Sequence, residues 1–114
     1  MVNKRALGGE KEQLAASYLQ KQGLSIIQMN YRCKIGEIDI VAKEKECLVF
    51  CEVKYRRNEE YGHPLAAVNS KKQHKITQTA RYYMLTNNIS ETSEIRFDVV
   101  AILGDKITYV RNAF

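Results

Sequence analysis

The run CLVFCEVKYRR closes an apolar stretch with a carboxylate and an ammonium, Glu52 and Lys54, two residues apart. In an extended strand that spacing puts both side chains on one face. Such a pair is either structural, with the lysine reaching out to solvent, or chemical. Upstream, the run EIDIVAK supplies a second carboxylate, Asp39. Strand alternation groups Glu37, Asp39 and Val41 on one face and Ile38, Ile40 and Ala42 on the other; Leu48, Phe50, Glu52 and Lys54 likewise share a face. Only the charged stretch KEKE separates the two runs, so they are expected to pair as a hairpin that brings Asp39 close to Glu52. Two carboxylates on one partly buried surface repel, and one is driven neutral unless something positive lies between them. Lys54 is one candidate and a divalent cation is the other. Oxygen ligands suit Mg²⁺ or Mn²⁺, and magnesium typically takes one or two carboxylates while keeping positions for water and phosphate oxygens. Such a metal polarises a phosphoryl oxygen and lowers the pKa of a bound water. Lys54 could hold that water and stabilise charge in the transition state. The chemistry to expect is hydrolysis of a phosphodiester.

Two further polar residues stand at the ends of apolar stripes. Glu10 lies three residues after Leu7 and four before Leu14. It is either a helix N-terminal acid favoured by the dipole or a group aimed at Asp39 and Glu52. Lys72 lies four residues before Ile76 and heads the stripe of a second helix. It either reaches solvent or points to the same place.

The elements that must position these groups follow from periodicity. A helix is expected from about Gly8 to Gln22, with Leu7, Leu14, Tyr18 and Leu19 on its apolar face and Gly23 as its C-terminal cap. Strands are expected at SIIQMNY from Ser25, EIDIVAK from Glu37 and CLVFCEVKY from Cys47. YRRNEEYGHP, residues 55–64, is polar and reads as an exposed loop. A second helix, Leu65 to about Leu85, carries Val68, Ile76, Ala80, Tyr83 and Met84 on one side. After the loop TNNISETSE comes the strand IRFDVVAI from Ile95, apolar enough to be central, and Gly104-Asp105 turns into KITYV. The order αβββαββ gives an α/β fold with a mixed sheet flanked by two helices.

The chain of 114 residues has the length of one domain. Hydrophobic residues at 45% and charged residues at 27% place it among globular chains. No apolar run reaches the roughly 18 residues of a membrane span, and the charged N-terminus MVNKRALGGEKEQ does not read as a secretory signal. The three cysteines, Cys33, Cys47 and Cys51, include no CxxC pair and lack zinc-site spacing. Cys47 and Cys51 on one strand would stand roughly 13 Å apart, too far for a disulfide. Reduced thiols in a cytoplasmic protein are the expectation. A net charge of +5 and a pI near 9.2 suit a polyanionic partner. Lys54, Arg56 and Arg57 form one basic cluster, and Lys71, Lys72 and Lys75 with His74 form a second, while acids gather at Glu44 and Glu46 and at Glu91 and Glu94. This separation favours nucleic-acid binding; two solvated patches are the alternative.

Asp39 followed by Glu52-Val53-Lys54 resembles the PD-(D/E)xK nuclease superfamily, with GEID in place of a literal PD. From GGEKEQLAASYLQKQG to RFDVVAI the chain resembles the YraN-like family of small bacterial proteins, which is similar to Holliday junction resolvases. The motifs that carry the resemblance are Gly9-Glu10, Asn30-Tyr31-Arg32, Gly36-Glu37-Ile38-Asp39, Val49-Phe50-Cys51-Glu52-Val53-Lys54, Ala67-Val68 with Lys72, and Arg96-Phe97-Asp98-Val99-Val100. The resemblance implies a restriction-endonuclease-like core and a Mg²⁺- or Mn²⁺-dependent nuclease acting on DNA, branched DNA included. Asp39 and Glu52 would hold the metal, with the Val53 carbonyl as third ligand and Lys54 as catalytic lysine. Glu10 would assist the metal site, and Lys72 would touch phosphate or water. Arg32, Arg56 and Arg57, with Lys71 and Lys75 of the second basic cluster, would hold the nucleic acid. Asp98 is expected to pair with Arg96 or Lys72, and Tyr55 to sit in the core. Resolvases of this fold imply a homodimer. The chain offers no helix-turn-helix or zinc finger, so backbone contacts, which carry no base information, favour structure-selective binding. Two alternatives stand beside the nuclease: a non-catalytic nucleic-acid-binding module with the carboxylates as ion pairs, and an assembly role. Nothing in the residues separates DNA from RNA.

Overall fold

The computed structural model describes residues 4–114, with side chains from residue 9 onward. Helix α1 spans Lys4–Lys21, and strands β1 (Ser25–Arg32), β2 (Glu37–Glu44) and β3 (Cys47–Arg56) follow. Helix α2 (Ser70–Thr86) crosses to β4 (Ile95–Leu103), which turns into β5 (Lys106–Val110). The five strands lie in one sheet in chain order, antiparallel throughout except where β3 and β4 run parallel. This is the expected αβββαββ order, an α/β fold with a mixed sheet and two helices. Among the described residues no helix is long and apolar enough to cross a membrane.

β3 is central because both its faces are covered, and every residue from Cys47 to Glu52 is buried. On one face Val49 and Cys51 join Ile40, Ala42, Val100 and Ile102 beneath Ala15, Ala16 and Leu19 of α1. On the other, Leu48 and Phe50 join Val41 and Val99 beneath Ile76, Ala80, Tyr83 and Met84 of α2. The apolar face of α1 differs from expectation. Leu14 is exposed, and the buried residues are the two alanines and Leu19; Leu7 lies outside the described side chains. Small side chains let the helix approach the sheet closely, and hydrophobic periodicity weights them weakly. Gly23 caps α1 with φ 99°, and Leu24 N–H returns to the Leu19 carbonyl at 3.0 Å.

The second helix starts later than the expected Leu65. Pro64–Ala67 forms a short 3-10 turn instead, and His63 Nδ1 accepts the Leu65 N–H at 3.2 Å. Asn69 then opens α2, its Oδ1 accepting the Lys72 N–H at 3.0 Å. The turn between β1 and β2 docks on this helix. A Cβ at Gly36 would come within 3.0 Å of Thr79 Oγ1 and 3.4 Å of Lys75 Cγ, so any larger residue there would have to push these side chains aside by a few tenths of an ångström.

Asp98 ties the C-terminal strands to the sheet. It is fully buried and accepts both forks of Arg96, at 2.8 and 2.9 Å, together with the Tyr109 hydroxyl and the Asn112 N–H. Arg96 continues to Glu44, which also receives Arg111. Of the two expected partners, Asp98 takes Arg96. Removing one member of such a buried network leaves charges unpaired, so Asp98→Ala should cost about 3–5 kcal/mol in urea unfolding. A loss below about 1 kcal/mol would show that β4 and β5 do not depend on this network.

Candidate functional site

The backbone ladder between β2 and β3 stops at Ile40↔Cys51. Continued in register it would next oppose Asp39 to Glu52 and Ile38 to Val53. Instead the Asp39 carboxylate takes over, with Oδ2 accepting the Val53 N–H at 2.8 Å. The chain alternation slips at the same point. Ile38 packs on the α2 side with Val41, whereas Ile40 and Ala42 pack on the α1 side, so the three isoleucine and alanine positions expected to share a face are divided. Within β3, Leu48 N–H and Arg56 C=O both bond toward the β4 side, to Glu94 and Gly104. Alternation therefore turns the Val53 N–H and C=O toward β2. The Val53 carbonyl, expected as a ligand, points to the gap where the ladder has ended and the Asp39 carboxylate has entered.

Across this gap stand four charges. Glu52 is 4% exposed and Asp39 is 9% exposed. Lys72 Nζ lies 3.5 Å and Lys54 Nζ 3.7 Å from the same oxygen, Oε1 of Glu52. Burial first and the Asp39 charge second push the Glu52 carboxyl up to about 7, against the pull of the two lysines. Asp39 is also raised, by burial first, with the Val53 N–H and both lysines opposing. The two acids and two ammoniums balance. Asp39, Glu52, Lys54 and Lys72 are thus brought together as the sequence led one to expect.

Glu10 is not brought to them; it is exposed on α1. The α1 carboxylate that faces the site is Glu12. Its pKa is raised first by burial and second by the Asp39 charge, with the Asn30 amide opposing. The signal was available in the sequence: Glu12 lies three residues before Ala15 and seven before Leu19, both fully buried. Spacing to Leu7 and Leu14, together with the resemblance, points to Glu10, but Leu14 faces solvent.

The basic residues divide. Arg32 is exposed but paired with Glu37 at 3.1 Å. Lys71 and Lys75 are exposed on α2, as is Arg57 at the end of β3. Arg56 is half-buried, and its Nε is enclosed without a hydrogen-bond partner. Tyr55 packs on the α1 side of the core, as expected, with Lys11 Nζ over its ring at 4.4 Å. Cys33, Cys47 and Cys51 are free thiols. Among the described residues no three His, Cys, Asp or Glu side chains converge at metal-binding distance, so any metal here rests on Asp39 and Glu52 with main-chain oxygen and water. That donor set fits magnesium or manganese, which keep several waters, and does not fit structural zinc.

A sequence profile of the uncharacterised protein family UPF0102 matches residues 11–102. The chain belongs to this family. A UPF0102 protein of Lachnoclostridium phytofermentans is 51% identical over 113 residues, covering 99% of this chain and 96% of its own length. One from Clostridioides difficile is 43% identical, covering 99% and 100%, and one from Aeromonas hydrophila is 45% identical, covering 94% and 83%. UPF0102 is the family that the YraN-like motifs indicated, and the match to the first two relatives extends over 99% of the chain.

The raised Glu52 pKa has a consequence for stability. A carboxyl whose pKa rises on folding holds a proton in the folded state that the unfolded state has lost, so stability falls as pH rises from about 4.5 to about 7. Metal-free wild type should lose on the order of 3 kcal/mol across that window. Glu52→Gln should flatten the dependence and exceed wild type in stability at pH 8. Chemical denaturation at pH 5 and pH 8 in chelator checks this; a wild type equally stable at both would mean that Glu52 is not held against its ionisation.

Proposed function

We propose that the chain is a metal-dependent nuclease, built on a restriction-endonuclease-like core, that hydrolyses phosphodiester bonds in DNA. The observation that supports this most directly is the opening of the β2–β3 ladder over Asp39 and Glu52. A sheet does not normally exchange a main-chain hydrogen bond for a buried carboxylate beside a second one, because each uncompensated charge costs several kcal/mol. The arrangement makes sense as a divalent-cation site that opens toward a phosphate.

In this reading Asp39, Glu52 and the Val53 carbonyl hold Mg²⁺ or Mn²⁺, which supplies Lewis-acid polarisation of the phosphoryl oxygen when bound. Asp39 is oriented by the Val53 N–H, leaving Oδ1 free of that bond. Lys54, about one-third exposed, is placed to hold a water for attack on phosphorus and to stabilise developing charge. Glu12 takes the role on α1 for which the sequence pointed to Glu10. Arg57, Lys71 and Lys75 are exposed and would suit phosphates along a backbone. Such contacts select by shape, so flaps and junctions are the substrates to favour, with two copies of the chain acting on two strands.

A second reading rests on the charge balance. Two ammoniums match the two carboxylates in number, and both lower the pKa of each, which is what a non-catalytic binding module would retain. Cleavage separates the two. Wild type should cut at least one member of a panel of duplex, single-stranded, flap and four-way-junction DNA and RNA in Mg²⁺ or Mn²⁺. Glu52→Ala and Lys54→Ala, each confirmed folded, should lose that activity by about 100-fold or more. Binding without cleavage, indifferent to both substitutions, would establish the module instead.

The exposed lysines carry their own expectation. Lys71→Ala and Lys75→Ala should each weaken DNA binding with little regard to sequence, and should each reduce the slope of log K against log salt by about 0.9. Unchanged slopes would place the nucleic acid on another face.

A further inference from the structure

We infer that Lys72 is an internal counter-cation, which a divalent metal must displace from Glu52 in order to bind. The inference rests on the metal-site reading and goes beyond the phosphate-contacting role expected for this lysine. Both ammoniums crowd one oxygen, Glu52 Oε1, at 3.5 and 3.7 Å. A metal ligated by that carboxylate would stand within a few ångströms of them, and like charges so close repel by several kcal/mol even at an effective dielectric near 20.

The two lysines are not equivalent in how they can yield. Lys54 stands on the same strand and the same face as Glu52, two residues on, so its Cβ stays beside the carboxylate whatever its ammonium does. Lys72 belongs to the first turn of α2 and arrives from a different element. Its backbone is fixed by the Asn69 cap at 3.0 Å, but its side chain is about one-third exposed and meets Glu52 through its tip alone. It can swing to solvent or to a phosphate without moving the helix. Without metal, the contact joins α2 to the buried end of β3 and satisfies Glu52. With metal, the ion takes over that duty.

The usual expectation for a lysine in an active site is that removing it harms the site. Here removal should help the metal. Mn²⁺ binding, followed by electron paramagnetic resonance of the free ion at pH 8.5 in the absence of nucleic acid, is the test. Lys72→Gln should bind Mn²⁺ about tenfold or more tightly than wild type, or bind it where wild type does not. Lys72→Arg, which restores a cation, should return affinity to about the wild-type value. Arg81→Gln, the same loss of charge at an exposed position of the same helix, should change it less than about twofold. Wild-type binding that is unaltered or weakened by Lys72→Gln would overturn the counter-cation inference and leave the metal site standing. Failure of wild type and Lys72→Gln alike to bind Mn²⁺, both being folded by circular dichroism, would overturn both.

Discussion

Glu52 is a carboxylate buried to 4% exposure at the end of the most enclosed strand of the sheet, with a second buried carboxylate beside it. Burying one ionised carboxylate costs several kcal/mol even after relaxation, and a like-charged neighbour adds to that cost. The rest of this end of the molecule is arranged around the problem. The β2–β3 ladder ends early so that Asp39 can take a main-chain N–H. Two lysines from separate elements converge on one Glu52 oxygen. Asn69 fixes the first turn of α2 at the level where Lys72 can reach. Gly36 lets the β1–β2 turn lie against that helix, which holds the start of β2, and with it Asp39, in place.

A scaffold that holds such a site must itself be rigid, and β4, the strand beside β3, shows how, with Asp98 opposite Cys51 in the register. There the buried acid, Asp98, is fully satisfied by Arg96, Tyr109 and the Asn112 N–H. The contrast with Glu52 is informative. Asp98 accepts hydrogen bonds from donors of three kinds: a guanidinium, a phenol hydroxyl and a main-chain N–H. Glu52 has two ammoniums beyond ordinary hydrogen-bond length, on long side chains about one-third exposed. Long, charge-only contacts to flexible groups are exchangeable in a way that a bidentate guanidinium pair is not. One carboxylate is held by the fold, and the other keeps contacts that the proposed cation could replace.

The strand end of the site was legible in the sequence because its logic is local. A period of two puts Glu52 and Lys54 on one face, and a short charged turn forces the hairpin that brings Asp39 near. The arrival of Lys72 was legible from its place at the head of an apolar stripe. What stayed hidden depends on contacts that periodicity does not encode. α1 docks through Ala15 and Ala16, whose small apolar area barely registers beside an exposed Leu14; that is why spacing selected Glu10 and the fold presents Glu12. The slip at Asp39 follows from a side chain replacing a main-chain hydrogen bond, a competition that strand patterns cannot reveal. α2 starts after Asn69, whose side chain caps it, and not at Leu65, because the His63-capped segment Pro64–Ala67 closes as a 3-10 turn.

Membership of UPF0102 extends this reading from one chain to relatives that share 43–51% of their residues with it over nearly its whole length. At that identity the backbone and its register are common property, so the early end of the β2–β3 ladder is a feature to look for across the group. The physical argument then separates two pressures. A carboxylate pair kept only for stability would be replaceable by apolar residues of similar volume, often with a gain in stability. A pair kept for an ion could not be replaced in that way, because the ligands would be lost with the cost. The metal-free protein carries the destabilising side of that balance at neutral pH, where Glu52 is held against ionisation. Under the proposed metal-site reading, a cation that neutralises the pair would stabilise the folded state by mass action, more as its concentration rises above its dissociation constant.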